Sequence, residues 1–160
     1  MASPKPMAVR MLGQRKIPHA LFAFDDAIRD AAEVARVTGM APEAVYKTLV
    51  VEDDPPKGKP RLVMMPSDSE VDLKALAAAL GLKKVSMASH RDAERHTGLL
   101  VGGISALALT GRGFATYIDS RALSRSEILV SAGQRGLDVR LAVADLIAVT
   151  GAVALDGIAR

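Results

Sequence analysis

The sequence predicts an α+β domain, in which helices are interspersed with short strands, some of them in hairpins, rather than a doubly wound sheet. Three observations carry this. Leu73, Leu76, Ala77 and Leu80 recur at i, i+3, i+4 and i+7, the spacing of one helix face. Two β-rich runs, Val45 to Glu52 and Arg61 to Met65, flank a polar turn of Asp53-Asp54-Pro55-Pro56-Lys57-Gly58 that cannot continue a ladder. The 160 residues contain no repeat, linker or low-complexity segment, so residues 1–160 are expected to form one domain with its own core.

Taken in order, Met7, Ala8, Met11 and Leu12 predict a short amphipathic helix that Pro18 ends. His19 to Phe24 reads as a strand. Asp25-Asp26 is expected to cap a helix running to about Val37 and closed by Gly39, with one more turn at Pro42 and Glu43. On the strand that follows, period-2 alternation puts Val45, Lys47, Leu49 and Val51 on one face, which sets a lysine among apolar neighbours. Ser69 and Asp72 are expected to form a capping pair ahead of Leu73, and Gly81 closes that helix. Lys83 to Met87 is a brief extended piece. Ser89 and Asp92 cap a helix carrying Arg91, Arg95 and His96 and ending at Gly98. Phe114 to Asp119, Glu127 to Ser131 and Leu137 to Leu141 read as strands, the last two joined by Ala132-Gly133-Gln134-Arg135-Gly136. Ala142 to Val149 is a short apolar helix stopped by Gly151.

Composition narrows the chemistry. Aromatic residues make up only 3% with no tryptophan, which argues against reading single-stranded nucleic acid by rows of stacked bases. The absence of cysteine excludes a disulfide framework, a thiolate metal site and a cysteine nucleophile. His19, His90 and His96 lack ligand spacing and read as surface or capping residues, so neither metal nor cofactor is expected. The amino terminus is interrupted by Lys5, Arg10, Arg15 and Lys16 and does not read as a signal peptide. No stretch approaches the length of a membrane span, and a cytoplasmic location is expected. A net charge of +3 permits a polyanionic partner without demanding one.

Three segments stand out chemically. The run Gly98-Leu99-Leu100-Val101-Gly102-Gly103-Ile104-Ser105 sets paired glycines beside a hydroxyl, an arrangement able to present bare N–H donors to a carbonyl or oxyanion. It matches neither a dinucleotide fingerprint nor a P-loop. Lys47, followed by Thr48, is either a snorkelling edge lysine or a cation held at a cleft. Ser131, Gly133 and Asp138 surround a glycine turn; if it folds over the Gly102-Gly103 loop, the serine and aspartate can bind amino or hydroxyl groups. No nucleophile elbow or catalytic carboxylate pair is present.

With these residues laid out, the sequence resembles the YbaK/EbsC family, related to the editing domain inserted in bacterial prolyl-tRNA synthetases. The resemblance rests on Val45-Tyr46-Lys47-Thr48-Leu49-Val50, on Asp72-Leu73-Lys74 through Ala79-Leu80-Gly81, on Thr97-Gly98 through Gly102-Gly103-Ile104-Ser105, and on Val130-Ser131 through Arg135-Gly136-Leu137-Asp138. It implies a curved mixed β-sheet, partly barrel-like, with flanking helices. It also implies a trans-editing deacylase without cofactor or metal that cleaves the ester of misacylated tRNA for proline, with prolyl-tRNA synthetase as a possible partner. The best-known branch removes cysteine, whose own thiol assists; other branches act on alanine, serine, threonine or small non-protein amino acids such as 2-aminobutyrate. By this resemblance Lys47 is the catalytic residue, and Thr48, Gly102, Gly103, Ile104, Ser105, Ser131, Gly133 and Asp138 bind substrate. The chain departs from the family in having Ala106 where proline usually follows the loop serine, which is expected to leave the loop's exit less rigid. The segment Phe22 to Glu33 is also shortened and lacks the aromatic residues of the cysteine-specific pocket. Two rivals follow, a non-catalytic module that binds aminoacyl-tRNA or a synthetase, and a peptidyl or small-ester hydrolase on the same scaffold.

Overall fold

The computed structural model describes residues 6–160. Helix α1 (Met7–Gln14) leads into strand β1 (His19–Ala23), helix α2 (Ala31–Thr38), a 3-10 turn at Pro42–Ala44, and the hairpin of β2 (Tyr46–Asp53) and β3 (Arg61–Pro66). Next come α3 (Leu73–Leu80), β4 (Val85–Met87), α4 (His90–Thr97), β5 (Thr116–Asp119), a 3-10 turn at Ser120–Ser124, the hairpin of β6 (Glu127–Gln134) and β7 (Leu137–Ala142), α5 (Val143–Thr150) and β8 (Val153–Leu155). The α+β class stands.

The strands divide into two sheets. Five of them run in the order β4-β2-β3-β5-β8, antiparallel from β4 to β3 and parallel from β3 to β8; the other sheet is an antiparallel β1-β7-β6. A single parallel bridge, Val45 to Leu129, joins them, and among the described residues the strands do not close into a barrel.

Alternation along β2 and β3 explains the packing. Val51, Val63 and Met65 face α3 and bury against Leu76, Val85 and Ile158. Tyr46, Val50, Leu62 and Met64 face the other way, into the main core with Leu12, Ile118, Ile128, Val130, Leu141 and Leu146. The central sheet is thus covered on both sides, and its middle strand β3 reads as a continuous apolar run from Leu62 to Met65. A third cluster, Val34, Ala35, Val45 and Leu129, sits under α2 beside the bridge between the sheets.

Most predicted elements form within a residue or two of their expected ends. Asp72 caps α3 by accepting the Ala75 N–H at 3.0 Å, and Ser89 caps α4 by accepting the Asp92 N–H at 3.0 Å. Ser69 does not join the α3 cap; its hydroxyl turns to Asp68. Helix α2 begins at Ala31, not at Asp25-Asp26. Asp25 accepts the N–H of Ala27 at 2.9 Å, and the Phe24 N–H is donated to the Gly136 carbonyl at 3.0 Å, so this stretch is a turn tied to the last hairpin. Strand β6 runs past Ser131 through a bulge to Gln134, and β8 is not anticipated from the sequence.

Candidate active site

Strand β2 has an open edge where the two sheets part. Strand β4 pairs with it only from Val51 to Asp53, and β6 meets it only at Val45. The Ser67 N–H is donated to Val45 C=O at 2.7 Å on the β3 side, and the Ala88 N–H to Val50 C=O at 2.9 Å on the β4 side. In an antiparallel ladder these groups alternate, so the main-chain N–H and C=O of Thr48 turn away from β3 and into the gap. A cavity of about 240 Å³ fills it, bordered by Lys47 and Thr48 of β2, Gly102 and Ile104 of the glycine loop, and Ser131 and Asp138 of the last hairpin.

Six of the nine residues singled out from the sequence therefore meet around one space, although they lie up to 91 positions apart (47 to 138). The other three do not border it and instead build its wall. Gly103 is buried with its backbone against Gln134 and Arg135; a Cβ there would lie 2.8 Å from the Arg135 nitrogen. Gly133, at φ +104°, packs against the Ala108 methyl, where a Cβ would come to 2.8 Å. Ser105 is buried and accepts the Ala108 N–H at 3.0 Å, capping the turn beyond the loop.

The loop is held by specific contacts. Val101 donates its N–H to the Glu94 carboxylate at 2.8 Å, and its carbonyl accepts the Arg135 Nε–H at 2.7 Å. The last hairpin does fold over the loop. The Ala106 N–H is donated to the Thr48 hydroxyl at 3.3 Å, a donor that proline would not have, and Ala106 is buried. The loop's exit is therefore tied to β2 by a hydrogen bond. The Gly103 N–H closes a turn onto Leu100 C=O at 2.8 Å, whereas those of Gly102, Ile104 and Ser105 have no partner among the described residues.

Electrostatically the site is uneven. Asp138 is 7% exposed, and burial alone pushes its carboxyl up to about 7. It has no hydrogen-bond or ion-pair partner among the described residues, while Ser131, opposite it across the hairpin, accepts the Gly133 N–H at 3.1 Å. Lys47 shares the α3 face of β2 with Leu49 and is half-buried without an ion-pair partner among the described residues. Tyr46 is pushed up to about 12, chiefly by burial and then by the Asp119 carboxylate, so its phenol stays neutral.

Sequence reasoning missed the wall supplied by Arg29, Asp30, Ala31 and Val34, because it placed this stretch inside a longer helix. His90, expected at the surface or in a cap, is indeed exposed, at the first position of α4; that it also borders the cavity was not foreseen. Arg135 and Glu94, which clamp Val101, carry no local signal.

No helix is long and apolar enough to cross a membrane among the described residues. The profile of the aminoacyl-tRNA editing domain family matches residues 25–149. An Enterococcus faecalis protein, EbsC, provisionally named a Cys-tRNA(Pro)/Cys-tRNA(Cys) deacylase, is 36% identical over 148 residues, covering 91% of this chain and 88% of its own. Among solved structures, the hypothetical protein APE2540 superimposes with a TM-score of 0.83 at 23% identity, covering 95% of this chain and 98% of that one. A protein provisionally described as a trans-editing enzyme for prolyl tRNA synthetase gives 0.79 at 20% identity, covering 100% and 99%. These two likenesses establish the fold, and the profile and the Enterococcus relative establish the family: the chain belongs to the aminoacyl-tRNA editing domain family, the group of YbaK and EbsC.

Proposed function

We propose that the protein is a trans-editing deacylase that cleaves the ester of misacylated tRNA for proline, with cysteinyl-tRNA as its first candidate substrate. The observation that carries this is that the Asp138 carboxyl, without a partner among the described residues, shares the border of one cavity of about 240 Å³ with Lys47 and the glycine loop. An aminoacyl ester offers an α-ammonium, a carbonyl and a short side chain. The ammonium goes to Asp138, which gives up its proton to ion-pair with it, and the Ser131 hydroxyl lies beside it. The carbonyl oxygen goes to the free N–H groups of Gly102 and Ile104, with Ser105 behind them. The side chain goes against Ala31, Val34 and Ile104, an aliphatic stretch of the cavity's wall.

Lys47 then orients the terminal ribose and offsets negative charge as the tetrahedral intermediate forms. Water attacks the carbonyl carbon, the C–O bond to the ribose breaks, and the ribose oxygen leaves with a proton. With cysteine, the substrate's own thiol can replace water as the nucleophile. No side chain of the protein needs to be the nucleophile, in keeping with a site that lacks a triad or a thiol. The relative's provisional name supports cysteine, whereas the small apolar wall equally fits alanine or 2-aminobutyrate. A synthetase partner fits the modest charge of +3, which gives weak, salt-dependent affinity for tRNA.

The test is to incubate the protein with tRNA for proline charged in turn with cysteine, alanine, serine and 2-aminobutyrate and to follow loss of the ester. Deacylation of at least one is expected. Replacing Lys47 by alanine should lower its rate about a hundredfold to a thousandfold, the usual cost of losing one transition-state charge contact, with an unchanged melting temperature. Tight binding with no ester loss would instead favour a non-catalytic module.

A further inference from the structure

A second cavity, of about 510 Å³, lies on the α3 side of the central sheet and shares Lys47, Leu49 and Met87 with the border of the first. The two spaces thus meet over β2. Besides the shared Leu49 and Met87, the second is lined by apolar Val71 and Leu73. Its acids are already engaged: Glu70 pairs with Arg160 at 3.1 Å, and Asp72 is the cap of α3. The charges left without a partner among the described residues are Lys47, at the junction, and Lys74, exposed on the first turn of α3. An apolar slot beside an unpartnered ammonium matches a nucleotide, whose base needs apolar surface and whose phosphate needs a cation.

We propose that this cavity binds the terminal adenosine of the tRNA, with its base against Leu49, Val71, Leu73 and Met87 and its 5′-phosphate at Lys74. The inference rests on the editing reading and extends it. The smaller cavity, with its buried carboxyl and aliphatic wall, and the larger one, with its apolar surface and Lys74, correspond to the two halves of an aminoacyl-adenosine, and the ester that joins those halves falls at Lys47, which borders both. Lys74 is a positioning residue here, remote from the bond that breaks.

The test is titration of the full chain with adenosine 5′-monophosphate and with adenosine, followed residue by residue through backbone amide shifts. Shifts are expected at Leu49 and at Val71 to Lys74. Lys74→Ala, an exposed substitution, should weaken the monophosphate roughly threefold to fivefold and leave adenosine unchanged, as expected for one exposed charge contact. Shifts at Ala31, Val34 and Ile104 instead, or none up to about 10 mM, would overturn the proposal. Equal weakening of both ligands by Lys74→Ala would overturn the phosphate assignment. The two readings fail separately: monophosphate shifts at 71–74 in a protein that deacylates no charged tRNA sink the editing reading alone, whereas deacylation with silence at 71–74 sinks this one.

Discussion

The two walls of the first cavity are built in different ways. The β2 wall belongs to a ladder in which six consecutive residues, Tyr46 to Val51, pair with β3, and apolar cores cover both faces of the sheet. The facing wall, the loop from Gly98 to Ser105, has no strand partner among the described residues. It is held by Glu94 and Arg135 on Val101, by the Thr48 hydroxyl, and by the bare backbone of Gly103 against the last hairpin. A ladder spreads its stability over many bonds, so side chains on it are replaceable without moving it. A wall pinned at a few points concentrates its geometry in those points.

The strongest way to break that contrast is Gly103→Ala. The new methyl would lie 2.8 Å from the Arg135 nitrogen and the Gln134 carbonyl carbon, both backbone atoms, so loop and hairpin must separate. Deacylation should fall about a hundredfold from misplaced donors, and stability should drop by about 1–3 kcal/mol. Rate assays and thermal melts read the two effects; an alanine variant as active as the wild type would mean that the pinned wall does not position the ester.

Asp138→Asn probes the same wall electrostatically. Because burial raises the carboxyl from 3.8 to about 7, the folded protein binds a proton in that window that the unfolded chain releases. Stability therefore falls as pH rises between those values, by at most about 1.4 kcal/mol per pH unit, and is regained on acidification. In the Asp138→Asn variant this slope should vanish from melts taken across the window. On the proposed binding mode, the part of the pH dependence of substrate affinity that follows the Asp138 carboxyl should also vanish, because the ammonium would no longer meet a carboxylate.

The smallest effect is expected where the two walls touch. Thr48→Val removes the acceptor and Ala106→Pro the donor of one hydrogen bond. Each should cost roughly 1 kcal/mol. The double variant should cost less than the sum, since both substitutions remove the same bond. Strict additivity in a double-mutant cycle would show that the bond does not tie the loop to β2.

The contrast also explains what was legible in the sequence. Features with a local cause could be read directly: the Asp72 and Ser89 caps, the alternation along β2 and β3, and Lys47 out of place among apolar neighbours. Features made by distant partners could not. Helix α2 starts late because Phe24 is bound by Gly136, more than a hundred positions away, and β8 exists because β5 offers it a parallel edge. The lysine, the glycines and the hairpin aspartate were visible one by one, but their meeting required the open edge of β2, which follows from where β4 and β6 stop pairing. The second cavity was invisible for the same reason, since its sides come from β2, β4 and the start of α3.

The registration of β2 on β3, with Lys47 opposite Met65, carries one more consequence. Side chains alternate between faces, so a slip of a single position would turn Lys47 into the main core and bring Tyr46 and Val50 out of it. The ammonium would then lie in apolar surroundings without a counter-ion, at a cost of several kcal/mol. The pattern of side chains that lets the strand pair in one way alone is also the pattern that delivers the lysine to the junction of the cavities. A chain paired out of step is thus rejected by its own core before it can present a faulty site.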